Sequence, residues 1–247
     1  MGKTYFASDF HLGVPNYNCS LEREKKVVAW LNDIEDDCEN LFLLGDIFDF
    51  WYEYKTVVPR NFTRLLGKLA SMSDKGVNIY FFKGNHDMWT FDYLEKEIGA
   101  TIIDEEWIGK IGSCTFYLHH GDALWKGEKS YKFIRKIFRA NWAIWLFHRL
   151  HPNFGTGLAK YLSKSSRKKN NPKDTIEIPL KEEYQYQFAK DYISKNQIDF
   201  FVFGHRHKPI DVSLDSNSRL INLGDWVSFF TYAVFDNNEL ELKTYSK

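Results

Sequence analysis

Apolar residues in this chain come in short uninterrupted runs, and each run stops at a polar cluster. Thr4–Ala7 leads to Ser8-Asp9-Phe10-His11, and Leu41–Leu44 leads to Gly45-Asp46-Ile47-Phe48-Asp49. Asn78–Phe82 precedes Gly84-Asn85-His86-Asp87, Thr115–Leu118 precedes His119-His120-Gly121-Asp122, and Phe200–Phe203 precedes Gly204-His205-Arg206-His207. Four or five apolar residues without alternation predict strands buried on both faces. Helical spacing fills the intervals at 20–38, 60–75 and 180–196, so strand–helix–strand alternation predicts an α/β fold with helices outside the sheets. Tyr232–Phe235 and Glu239–Lys243, about Asp236-Asn237-Asn238, predict a closing hairpin.

The rhythm breaks between Lys126 and Lys173. This stretch holds 13 Lys/Arg against one acid, Glu128, while the rest of the chain holds 20 basic and 32 acidic residues. Ile134, Ile137, Phe138, Trp142 and Trp145 recur at helical spacing, with Lys132, Arg135, Lys136 and Arg139 off that stripe. The expectation is a basic amphipathic helix over 131–147, or a pair of helices with the second near 155–166. Together they would form a helical lid at 126–173, inserted in a single domain spanning 1–247.

Composition narrows the class. With 44% hydrophobic and 17% aromatic residues the chain can bury a sizeable core. Its formal net charge of zero gives no indication of partners by itself. Cys19, Cys38 and Cys114 form no CxxC and leave an odd thiol, which fits a reducing, cytoplasmic setting. No apolar h-region opens the chain and no run is long enough to span a bilayer.

Loops at strand carboxyl ends of an open α/β sheet converge on one crevice, so the five clusters should meet. They would bring together Asp9, His11, Asp46, Asn85, His120, His205 and His207, a set of imidazole nitrogens and carboxylate or amide oxygens without thiolate. Such donors suit Mn²⁺, Fe²⁺ or Zn²⁺, and seven are about right for two ions sharing a carboxylate. The D-x-H and H-x-H spacings read as extended strand ends, where residues i and i+2 share a side. Neighbouring glycines permit close backbone approach.

In this order D-x-H, G-D-x-x-D, G-N-H-D, H-G-D and G-H-x-H resemble the calcineurin-like metallophosphoesterase superfamily. The resemblance implies an αββα sandwich of two mixed sheets flanked by helices, with a dinuclear centre at their edge. It assigns Asp9, His11, Asp46 and His207 to one metal, and Asn85, His120 and His205 to a second that Asp46 bridges. Asp46, Asn85 and His86 would be the catalytic residues, His86 either protonating a leaving oxygen or binding phosphate. Asp49, Asp87 and Asp122 are candidates for orienting the histidines, or for capping and turn roles. Mn²⁺ is the first expectation for both ions.

In more detail the chain resembles UDP-2,3-diacylglucosamine diphosphatases. The likeness lies in Phe48-Asp49-Phe50-Trp51, Tyr131-Lys132-Phe133, Trp142, and Ser165-Ser166-Arg167-Lys168-Lys169-Asn170 followed by Lys173. It implies a hydrolase of lipid A biosynthesis, peripheral on the cytoplasmic face of the inner membrane. Such an enzyme attacks the α-phosphorus of a glycolipid nucleotide and releases UMP. Trp51, Asn85, His86, Glu128, Tyr131, Ser166, Asn170 and Lys173 would bind substrate. Lys/Arg with aromatics also suits a nucleic-acid groove, but Ile134, Ile137, Leu146, Leu150, Leu158 and Leu162 suit acyl chains better, so no nucleic acid is expected. The sequence departs from that family at His86, where Arg is usual, which leaves another phosphodiesterase or nuclease as the alternative. A scaffold without metals is a remote third reading.

Overall fold

The computed structural model of the chain describes residues 2–124, 127, 129–159 and 179–246. Its first half alternates β1 (Lys3–Ala7), α1 (Tyr17–Ile34), β2 (Cys38–Leu43), α2 (Thr63–Asp74), β3 (Asn78–Phe82) and, after a short π-type turn, β4 (Thr101–Ile103). β5 (Glu106–Ile111) and β6 (Cys114–His119) follow as a hairpin. The insertion contributes α3 (Lys129–Phe138), α4 (Asn141–Phe147) and α5, helical over 152–159. α6 (Tyr184–Ile193), β7 (Phe200–Phe203), β8 (Pro209–Ser213), β9 (Arg219–Leu223), β10 (Thr231–Asp236) and β11 (Glu239–Thr244) complete the described chain.

The strands form two sheets, ordered β11-β10-β1-β2-β3-β4 and β5-β6-β7-β9-β8. β1 to β4 run parallel, as do β6, β7 and β9, and antiparallel strands finish every edge except that of β4. Both sheets are therefore mixed, and the expected αββα sandwich is what the chain forms. The predicted closing hairpin is β10 with β11.

Why the apolar runs are continuous is visible in β1. Tyr5 and Ala7 turn toward Trp30, Leu31 and Leu65 of the helical layer, whereas Phe6 turns to the other sheet. Phe6 lies between Phe42 and Phe116, with ring centroids 5.3 and 5.7 Å away. Each strand thus has an apolar neighbour on either face, which removes the alternation of a half-exposed strand. The helix expected over 20–38 starts earlier, where Asn16 accepts from the Cys19 amide at 3.0 Å, and ends at Ile34. Cys38 opens β2 instead.

The insertion differs from one continuous helix. The Phe138 carbonyl, which a longer helix would offer to the Trp142 amide, accepts from the Trp89 indole at 3.0 Å. Ala140 is extended there (ψ 134°), and α4 starts anew. Tyr52 holds α4 by donating to the Ile144 carbonyl at 3.0 Å, and Phe147 stacks on Trp89. The apolar stripe stays in solvent: Ile134, Phe138, Trp142 and Trp145 are 49%, 39%, 60% and 55% exposed.

Candidate metal centre

The five predicted loops meet where the parallel strands of both sheets end. Backbone bonds tie them: the Asp9 amide donates to the Gly45 carbonyl at 3.1 Å, and the Gly204 amide to the His120 carbonyl at 2.8 Å. Across the sheets, the His205 amide donates to Asp9 Oδ2 at 2.9 Å. Asp9, His11, Asp46 and His207 bring one donor atom each into a group no wider than 4.8 Å, and Asp46, His120 and His205 form a second such group. Asp46 belongs to both. Its Oδ2 lies 3.8 Å from His11 Nε2 and 3.5 Å from His120 Nε2. Asn85 Oδ1 joins the second group, 3.2 Å from His120 Nε2.

The backbone corrects one expectation. Asp9, His11, Asp46, His205 and His207 have φ of 56°, 44°, 53°, 71° and 51°. They sit in left-handed turns beyond the strands rather than on extended strand ends, so the i, i+2 argument does not explain their convergence. Each such residue costs roughly 1–3 kcal/mol, and clustered strain of this kind marks functional sites. Gly84 shows how closely the loops pack. A Cβ there would collide with Asp46 Oδ1 and the Asp46 amide nitrogen.

The electrostatics call for positive charge. Asp9 and Asp46 are almost fully buried, and Asp9 Oδ1, Asp46 Oδ2 and His205 Nδ1 have no hydrogen-bond partner among the described residues. Burial opposes charge on both carboxylates, yet the surrounding histidines hold Asp46 well below, and Asp9 below, the usual carboxylate range. Burial likewise opposes charge on His11 and His120, but the carboxylates push both up to about 10. Protons and cations compete here for the same nitrogens. Burial and the nearby His120 push His205 down to about 4, and burial lowers His207. Orphaned carboxylate oxygens beside imidazoles are a donor set that fits divalent metal ions.

Outer contacts fix these donors. His120 Nδ1 faces the Leu44 carbonyl at 2.7 Å, which leaves Nε2 toward Asp46. Asp49 Oδ1 lies 3.6 Å from His11 Nδ1 and 3.7 Å from His86 Nδ1, in the orienting position expected of it. Asp87 does something else. It accepts from the amides of Gly84, Asp46, Ile47 and Phe48, pinning the loop after β2 instead of a histidine. Burial and the Asp46 charge push its carboxyl up to about 7 against those amides. Asp122 accepts from the Tyr131 hydroxyl at 2.8 Å, and its Oδ2 lies 3.1 Å from Arg135 Nε.

A profile of the calcineurin-like phosphoesterase family matches residues 2–209. A UDP-2,3-diacylglucosamine hydrolase of Porphyromonas gingivalis is 39% identical, covering 98% of this chain and 97% of that one. The chain belongs to the calcineurin-like phosphoesterase family. It is a metal-dependent phosphoester hydrolase. A second UDP-2,3-diacylglucosamine hydrolase, of Shewanella piezotolerans, is 25% identical over 97% of each chain. A solved hypothetical protein of Pyrococcus horikoshii superposes with a TM-score of 0.50 at 10% identity, covering 100% of this chain and 90% of that one, a likeness of fold alone.

Of the phosphoesterase's other named residues, His86 sits at the rim of the centre. Its amide donates to Asp46 Oδ1 at 2.8 Å, and its Nδ1 lies 3.0 Å from the Asp49 carbonyl. Trp51 departs from expectation. It is fully buried against Phe48, Phe62 and Tyr93, with its indole donating to Glu53 at 3.0 Å, so it supports the loop from within the core. Glu128, Ser166, Asn170 and Lys173 lie outside the described residues. Sequence reading missed Asp225, whose Oδ2 lies 3.7 Å from His207 Nδ1 and whose Oδ1 accepts three backbone amides. The same signal announces it, since Gly224-Asp225 follows the apolar run of β9.

Proposed function

We propose that this phosphoesterase hydrolyses the pyrophosphate of UDP-2,3-diacylglucosamine to UMP and 2,3-diacylglucosamine 1-phosphate. It would use two divalent cations, Mn²⁺ foremost, at the cytoplasmic face of the inner membrane. The observation that carries this reading is the 39% identity to a hydrolase so named, over 97% of that protein and therefore through the insertion as well as the catalytic body. A cavity of about 540 Å³ beside the centre supports it. Asp49 and Leu12 lie at one side, Tyr52, Tyr54 and Phe62 provide aromatic wall, and Thr156 of α5 also lines it. Among the described residues no helix is long and apolar enough to cross a membrane, and the exposed lid aromatics are suited to lie on one.

Asp9, His11, Asp46 and His207 would hold one cation, and Asp46, Asn85, His120 and His205 the other. Bound there, the pair would neutralise phosphate oxygens and acidify water. The chain's own contribution is positional. Buried Asp46 fixes the two groups relative to one another, and the Asp49 carbonyl holds His86 through Nδ1. With Nδ1–H given to that carbonyl, Nε2 is the nitrogen left to meet a phosphate oxygen, and it would have a proton to share in the imidazolium form. Tyr131, tied to Asp122, places the lid against the substrate, with Glu128, Ser166, Asn170 and Lys173 assigned to it by resemblance.

One residue favours a second reading, a phosphodiesterase acting on another ester. His86 stands where the diphosphatases usually carry Arg, whose planar fork would clamp phosphate in two places. Assaying UMP release from UDP-2,3-diacylglucosamine beside cleavage of a bis-aryl phosphodiester separates them. The main reading expects the glycolipid to be the far better substrate. Efficient aryl diester cleavage without UMP release would replace it with the second.

A further inference from the structure

α3 carries two faces. At 3.6 residues per turn, Lys132, Arg135, Lys136 and Arg139 share one side, and Phe133, Ile134, Ile137 and Phe138 the other. The cationic side borders a groove of about 510 Å³ lined also by Glu105, Ala123 and Ala140. Four cations thus face two carboxylates, Glu105 and Asp122, the latter 3.1 Å from Arg135 Nε. Arg135 and Arg139 pair with Glu105, and Arg139 also donates to the Asp104 carbonyl at 3.2 Å. Arg139 Nε is buried without a hydrogen-bond partner among the described residues. Lys132 and Lys136 have no ion pair among the described residues. The opposite face is open, with Phe133 65% exposed and the patch continuing through Trp142 and Trp145.

A free anion would account for the cations but leave the apolar face unexplained. A bilayer surface accounts for both. An interfacial helix sinks its apolar face ~5–10 Å into the acyl boundary, and a helix with side chains is ~10–12 Å across. Its cationic row then stands at the level of the headgroup phosphates. We propose that the α3 groove receives the phosphate of an anionic phospholipid headgroup when Phe133, Ile134, Phe138 and the α4 tryptophans enter the bilayer. The inference rests on the membrane-surface reading above and adds the headgroup chemistry to it.

The test is flotation of the full chain with vesicles of phosphatidylcholine alone and with vesicles carrying phosphatidylglycerol, for wild type and Lys132→Gln/Lys136→Gln. Thermal unfolding and UMP release from detergent-dispersed substrate run alongside. Wild type should bind the anionic vesicles and hardly the neutral ones. The double variant should bind anionic vesicles about 30-fold more weakly, the equivalent of about 1 kcal/mol per surface cation, with unfolding and UMP release unchanged. Equal binding of wild type to both vesicle types, or full binding by the variant, overturns the headgroup proposal and leaves the membrane reading standing. Loss of UMP release by the folded variant overturns it too, by putting these lysines on the substrate. Binding to neither vesicle removes the membrane reading itself.

Discussion

Asn85 illustrates how a residue of ordinary turn chemistry becomes part of a site. Its amide oxygen lies 3.2 Å from His120 Nε2, beside the buried Asp46 carboxylate. Truncation of Asn85 or of His120 removes one donor, and neither side chain belongs to the apolar clusters that hold the fold. Asn85→Ala and His120→Ala should therefore abolish turnover while denaturant unfolding stays cooperative, as circular dichroism would show. His86 is bound to the loop differently, through its own amide and the Asp49 carbonyl. His86→Ala should lower kcat by roughly 10²-fold or more with metal content close to wild type, measured by elemental analysis. Loss of metal in that variant would place His86 among the ligands. Each of these residues was legible because a polar cluster at the end of an apolar run has few structural reasons to recur. The positive φ at Asp9, His11, Asp46, His205 and His207 was not legible. Nothing in these side chains favours a left-handed backbone strongly enough to announce it, and tertiary packing imposes it.

At the scale of elements, the strands were the clearest part of the pattern. β3 and β7 fall on the predicted residues, because apolar side chains on both faces leave no alternation to misread. β4, β5, β8 and β9 went unrecognised. The first three are edge strands, partly exposed, with burial patterns that a loop could share, whereas β9 is central and buried but has its apolar run broken by Asn222. The insertion was legible as basic and amphipathic but not as broken, since the break depends on the Trp89 indole, about fifty positions earlier, taking the Phe138 carbonyl. Close approach between loops makes its own demand at Gly84, where an added methyl would meet the Asp46 backbone. Gly84→Ala should destabilise the chain by about 1–3 kcal/mol, a fall in Tm of several degrees for a domain of this size, and should lower metal content with it. Scanning calorimetry with elemental analysis checks both. An unchanged Tm would show that the two loops can separate without cost.

Across the whole molecule, the parallel strands of two mixed sheets deliver six Gly- or Asp-bearing loops to one edge, and the intersheet core of Phe6, Phe42, Phe116 and Val202 holds those edges in register. Charge is also segregated locally: Asp9, Asp46, Asp49, Asp122 and Asp225 lie beyond strand ends, and Lys132, Arg135, Lys136 and Arg139 line one side of α3, beside an exposed apolar face. Fold and centre could be read in advance because both arise from local runs and motifs. The outward direction of the insertion's apolar stripe could not, since periodicity gives a face without saying what it meets. All of the catalytic reading depends on Asp46 lying between two cation sites. Anomalous diffraction at the manganese edge, on crystals grown with Mn²⁺, measures this directly. The structure predicts two peaks, one among Asp9, His11 and His207 and the other among Asn85, His120 and His205, each within bonding distance of an Asp46 carboxylate oxygen. A single peak, or two that do not share Asp46, would contradict it.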